Sequence, residues 1–169
     1  MIVSDSSPIV AFIQKNEFRL LNALFSTIHL PFTVHAELVE GSGVDMVQVQ
    51  EIEEAVTAGW IVVEPLLEES RMTNFHLGKG ETEAITVCLA EPGPHLLLID
   101  ERKGRRVAKD HGIDILGTLG IIKLAITRNL LDESKALDNL EHLLTAGFFL
   151  SSDVVRRFMV SLDRFSGKL

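Results

Sequence analysis

The sequence predicts an α/β fold: a three-layer α/β/α sandwich around a mainly parallel five-stranded sheet. Three observations predict it. Short apolar runs of strand length alternate with stretches of helical periodicity. One run, residues 95–99, is apolar almost throughout, as a central parallel strand buried on both faces should be. Turn and capping residues punctuate the runs in the order that successive βα units need.

Each element follows from local signals. Residues 1–4 make a first strand, and Asp5-Ser6-Ser7-Pro8 closes it and opens a helix, with Ser6 or Ser7 as cap and Pro8 in the first turn. Apolar positions recur at Ile9, Phe12 and Ile13, and again at Phe18, Leu21, Leu24 and Phe25. Residues 27–30 form a second strand, closed by Pro31, and a helix from Thr33 carries Val34, Glu37 and Leu38 until Gly41 ends it. An amphipathic helix over 44–58 stops at Gly59, and 60–63 is a third strand ended by Pro65. Residues 66–79 have weak periodicity and read as loop.

A helix begins at Gly80 or Glu81 and runs to Ala90, and the strand at 95–99 ends at Asp100. Residues 102–111 are helical with Gly112 as cap, and 113–116 is a fifth strand. Gly117-Thr118-Leu119-Gly120 leads into an apolar helix through Leu131. Two more helices, near 134–146 and 152–165, belong to a C-terminal extension over 130–169 of a single domain spanning 1–169. They read as an appended hairpin, because two such helices cannot bury a core of their own.

Composition sets the broad class. With 46% hydrophobic and 24% charged residues in 169, the chain is globular rather than disordered. Its one cysteine, Cys88, cannot form an internal disulfide and lies in an apolar stretch, so a reducing cytoplasm is the expected location. No leader segment is visible at the N-terminus, and no apolar run approaches the ~18 residues that span a bilayer, so no membrane is expected as a partner. The net charge of −8 is unusual for a protein that handles nucleic acid. A metal-dependent nuclease needs an acidic pocket, however, and Arg102, Lys103, Arg105, Arg106 and Lys109 supply a compact basic cluster.

In an open parallel sheet, ligands bind outside the carboxyl ends of the strands, where the strand order reverses. Asp5 ends the first strand, and Asp100 with Glu101 ends the fourth. If those strands are neighbours, the edge becomes a negatively charged concavity suited to hard cations such as Mg²⁺ or Mn²⁺. Glu37, Glu81 and Glu83 are further candidates on helices. Each acid also has an ordinary role open to it: Asp5 as a helix cap, Glu37 as a surface acid, and Glu81 and Glu83 as first-turn complements to the helix dipole. The six histidines show no zinc-ligand spacing, and Gly78-Lys79-Gly80 is not a phosphate loop.

Several stretches carry a resemblance. Val3-Ser4-Asp5-Ser6-Ser7-Pro8-Ile9, Pro31 to Leu38, Leu77 to Ile85, Leu97 to Arg105 and Leu116 to Gly120 together resemble the PIN-domain proteins. The similarity is to a branch related to VapC-type toxin ribonucleases, and it is spread in order over roughly residues 2–130. It implies Mg²⁺- or Mn²⁺-dependent cleavage of RNA by Asp5, Glu37, Glu83 and Asp100, acting as metal-binding and catalytic acids. Glu83 is the better match for the acid opening the central helix, with Glu81 second. Ser6, Glu81, Glu101, Arg102, Arg105 and Thr118 would support the site or touch substrate. A toxin role would add an antitoxin as partner, and the family leads one to expect a homodimer. Two departures stand out: Glu83 replaces an aspartate common in the toxin branch, and Glu101 stands where relatives often have an aspartate.

Two other α/β families with strand-end acids fit poorly. A phosphoacceptor domain wants an acidic pair after the first strand, but serines follow Asp5. A phosphatase with two aspartates two apart fails at Ser7. The stronger rival is a PIN-like module that keeps the fold and binds nucleic acid or protein with weak or absent turnover.

Overall fold

The computed structural model describes residues 1–41, 43–66, 75–148 and 150–165. The expected loop at 66–79 falls partly on 67–74, outside the described residues. The strands are β1 (Ile2–Ser4), β2 (Ile28–Leu30), β3 (Ile61–Val63), β4 (Leu96–Leu98) and β5 (Asp114–Leu116). The helices are α1 (Ser6–Gln14), α2 (Phe18–Phe25), α3 (Phe32–Glu40), α4 (Met46–Thr57), α5 (Lys79–Ala90), α6 (Arg102–Asp110), α7 (Thr118–Thr127), α8 (Glu133–Thr145) and α9 (Ser152–Phe165).

All four strand pairings are parallel, and the order across the sheet is β3-β2-β1-β4-β5. The chain therefore builds outward from β1 in one direction, then returns to build from β4 in the other. Right-handed crossovers in opposite directions place helices on both faces, giving the α/β/α sandwich. Each strand is only three residues long. Register aligns Ser4 with Leu98 and Leu98 with Leu116, so β1, β4 and β5 end level with one another.

Burial explains why these elements hold. Val3, Leu97 and Ile99 of the central strands pack with Ala84, Ile85, Val87 and Cys88 of α5, and with Ala108 of α6. Helix α5 is buried from Thr82 through Cys88, so Thr82, Glu83 and Thr86 are enclosed along with its apolar residues. Helix α4 opens on a reciprocal capping box, Asp45 accepting from the Gln48 N–H and Gln48 from the Asp45 N–H. The continuous-looking pattern through 9–25 is two helices because the chain turns at Asn16, which has a φ of 58°.

Met1–Thr118 and Leu119–Leu169 form two compact units. The first holds the whole sheet and α1 to α6. The second holds the body of α7 with α8 and α9, and α8 is capped by Asp132 accepting from the Lys135 N–H. No helix among the described residues is long and apolar enough to cross a membrane.

Candidate functional site

The strand order reverses between β1 and β4, so the crevice beyond their carboxyl ends is the topological switch point of the sheet. Asp5 and Asp100 both emerge there. Asp5 follows β1 directly and is tied to β4 by its N–H donating to the Leu98 carbonyl at 2.9 Å. Asp100 lies two residues beyond the end of β4, after Ile99, whose N–H bonds the Leu116 carbonyl of β5 at 2.9 Å.

Asp5 occupies the N-cap position of α1 in an extended conformation, yet its side chain makes no capping hydrogen bond. The adjacent Ser6 N–H reaches its carboxyl. Ser6 contacts Asp5 through its backbone N–H, and capping does not explain why an acid stands here. Asp5 is 4% exposed. Burial pushes its pKa up to about 6; the Ser6 N–H opposes that, and the negative charges of Glu81, Glu37 and Asp100 reinforce it.

Glu37 comes from α3, at the rim of the crevice. Its side chain is exposed, yet loss of water to nearby protein still raises its pKa; the Gly80 N–H offsets this, and Glu81 and Glu83 add to it. Glu81 sits in the first turn of α5. Its Oε2 accepts the Gly78 N–H at 3.0 Å, while its Oε1 is buried with no hydrogen-bond partner. Burial raises its pKa, the Gly78 N–H lowers it, Glu101 raises it and Lys103 lowers it.

Glu83 is placed differently. It is completely buried, and its Oε2 accepts the Thr33 N–H at the start of α3, at 2.8 Å. Glu83 neighbours Glu37 electrostatically, whereas the acids acting on Asp5 are Glu81, Glu37 and Asp100. Asp100 is held from one side by Thr118: Oδ1 accepts its N–H at 2.8 Å and Oδ2 its hydroxyl at 2.5 Å.

The remaining expected residues divide between the site and the scaffold. Glu101 caps α6, accepting from the N–H groups of Lys103 and Gly104. Arg105 is half-buried and donates through Nη1 to the Ile99 carbonyl at 2.7 Å, bracing the end of β4. Arg102 is exposed at the start of α6 and available to solvent. Residues to which the sequence motifs gave no role of their own also enter: Gly80 and Gly117 border the Glu37 and Asp100 carboxylates.

A family model described as a PIN domain matches residues 1–164. The chain belongs to the PIN-domain family. PIN domains are generally nucleases, and those nucleases typically use divalent metals. The sandwich expected from the sequence is the fold observed. No curated protein and no solved structure gives a significant match to the chain.

The donor set of this PIN domain fits a hard divalent cation on its own chemistry. The crevice offers carboxylate oxygens. One of them, Glu81 Oε1, is buried without a partner, a costly condition that a bound cation would relieve. As arranged, no three His, Cys, Asp or Glu side chains among the described residues surround a common point closely enough to hold an ion. The fit is thus one of donor type rather than of an assembled coordination sphere.

Proposed function

We propose that this chain is a divalent-metal-dependent endoribonuclease using Mg²⁺ or Mn²⁺. The observation that carries the reading is Asp5: a buried acid at the switch point, freed of capping duty, with three further carboxylates acting on it. Concentrating acids in a desolvated crevice is destabilising by itself, and such sites are where function is to be sought.

Asp5 and Asp100 would hold the cation from the ends of β1 and β4, with Glu81 and Glu37 reaching in from α5 and α3. A bound cation would supply positive charge against the phosphate and would lower the pKa of water held there. The protein's own part is positional. Thr118 fixes both oxygens of Asp100, so that carboxylate presents one orientation. Arg105 holds the Ile99 carbonyl and with it the strand end that delivers Asp100. Glu83 fastens the start of α3, the helix that carries Glu37. Arg102, exposed beside the crevice, would grip the RNA backbone through phosphate contacts that set register rather than sequence.

RNA as substrate, a toxin role with an antitoxin partner, and a homodimeric state rest on the resemblance to the toxin branch. The rival reading of a binding module without turnover draws on one observation. Glu83, the acid matched to the family pattern, has an oxygen committed to Thr33. Incubation of labelled single-stranded RNA with Mn²⁺ separates the two. Cleavage by wild type and at least ~100-fold less by Asp5→Asn supports the nuclease reading, in line with the loss of a group that acts on the reacting centre. Equal cleavage by both proteins, or none by wild type, contradicts it.

A further inference from the structure

Seven of the described glycines form two contrasting groups. Gly59, Gly93, Gly112 and Gly147 have positive φ and open space where a Cβ would stand, so conformation alone explains them. Gly80, Gly104 and Gly117 have no such φ, and a Cβ on each would strike a carboxylate of the crevice. On Gly80 it would lie 3.0 Å from Glu37 Oε2, on Gly104 2.9 Å from Glu81 Oε1, and on Gly117 2.8 Å from Asp100 Oδ1. Two of the three sit in the first turns of α5 and α6.

We infer that Gly80, Gly104 and Gly117 are positioning residues, each omitting a Cβ so that one carboxylate has room within the acidic crevice. The inference rests on the metal-binding reading of these acids and adds residues that touch neither metal nor substrate. Glu81 shows the device most fully. Gly78 donates its N–H to one oxygen, and the bare face of Gly104 makes room for the other. At Gly117 the same missing Cβ also admits Arg105 Nη1, 2.6 Å from where it would stand. The groups that must yield to an alanine at Gly80 are the Glu37 carboxylate and Val34 Cγ2; at Gly117 they are the Asp100 carboxylate and the Arg105 guanidinium. These are the far ends of side chains rather than backbone. The added methyl group should therefore displace the acids while the fold persists.

At Gly104 a second collision complicates the picture, because Ile99 Cδ1 lies 2.6 Å from the added Cβ. That collision is with the core, and Ile99→Val removes it while leaving Glu81 obstructed. The test is therefore calorimetric titration of Mn²⁺ into metal-free wild type, Gly117→Ala, Gly104→Ala and Gly104→Ala/Ile99→Val, with melting temperatures in chelator alongside. Removing outer supports of a metal site costs roughly 10–100-fold in affinity. We expect a loss of that size in all three variants, with Ile99→Val restoring the melting temperature but not the affinity. If Gly104→Ala does not fold, Gly117→Ala and the double variant decide. Wild-type affinity in the folded variants, or its recovery on adding Ile99→Val, overturns the inference and leaves the metal reading intact. Failure of wild type itself to bind Mn²⁺ overturns both.

Discussion

Completely buried Glu83 reaches from α5 to the first turn of α3, where its Oε2 accepts the Thr33 N–H at 2.8 Å. The bond satisfies one of the orphan donors at the helix start and complements the positive end of its dipole. It also fixes the helix that presents Glu37. Glu83→Gln keeps an acceptor at the same place, whereas Glu83→Ala removes the partner of the Thr33 N–H and leaves a cavity behind. Chemical denaturation should show Glu83→Ala destabilised by about 2–4 kcal/mol and Glu83→Gln by much less. RNA cleavage should follow the same order, with Glu83→Gln retaining most activity and Glu81→Gln losing it. Loss of Mn²⁺ binding by Glu83→Gln with unchanged stability would make Glu83 a ligand instead.

Asp5 gives a prediction with a pH signature. Its pKa rises from an ordinary 3.8 to about 6 on folding, so the folded state holds its proton more tightly than the unfolded state. Stability contributed by this group is thus full below pH 3.8 and is lost as pH climbs through about 6. In chelator, Asp5→Asn should therefore be more stable than wild type by up to about 3 kcal/mol above pH 6, at 1.36 kcal/mol per unit. The advantage should shrink towards zero near pH 4. Thermal melts of the two proteins from pH 4 to 8 would show it, and a constant difference across that range would contradict the burial argument.

Thr118 is buried and contributes both its N–H and its hydroxyl to Asp100. Thr118→Val keeps shape and the N–H but deletes the hydroxyl bond, at a cost of about 1–2 kcal/mol in stability. Its larger effect should be on function, with cleavage down roughly tenfold as Asp100 gains freedom, within the range known for outer supports of metal sites. Thr118→Ser should restore activity. Equal rates for the valine and serine variants would show that the N–H alone orients Asp100.

Arg102 and Arg105 are three positions apart in a basic cluster, but their surroundings differ. Arg105 braces the Ile99 carbonyl, while Arg102 is exposed. Arg102→Ala should weaken RNA binding and reduce the slope of log affinity against log salt by about 0.7, the single-strand value for one phosphate contact. Arg105→Ala should lower activity and stability with the salt slope nearly unchanged. Filter binding at several salt concentrations distinguishes them.

How far this could be read in advance depended on whether the cause was local. The five strands and most helix bounds follow from short-range signals, the apolar run at 95–99 and the glycines at 41, 59 and 112 among them. Asp5 and Asp100 were legible because they sit at strand ends, and the sheet order supplied the adjacency that made them a pair. The different surroundings of Glu81 and Glu83 were not legible. Two residues apart on a helix lie about 200° apart around its axis, so one faces Gly78 and Gly104 and the other Thr33. Which points where depends on how α5 is rotated against its neighbours. The three glycines were hidden for the same reason, since a missing Cβ has meaning only once the opposing carboxylate is in place. Ser6 or Ser7 was the expected cap, and Asp5 took that position instead without making the cap's hydrogen bond.

The central claim is that a divalent cation binds in the crevice between the ends of β1 and β4. Anomalous diffraction from crystals soaked in Mn²⁺ tests it most directly. The account predicts a peak at about 2.1 Å from a carboxylate oxygen of Asp5, close to Asp100 and Glu81, at the distance hard cations of this size keep from oxygen. The same peak should vanish in Asp5→Asn crystals. A fully soaked crystal with no peak in the crevice, or with Mn²⁺ bound elsewhere on the protein, would contradict it.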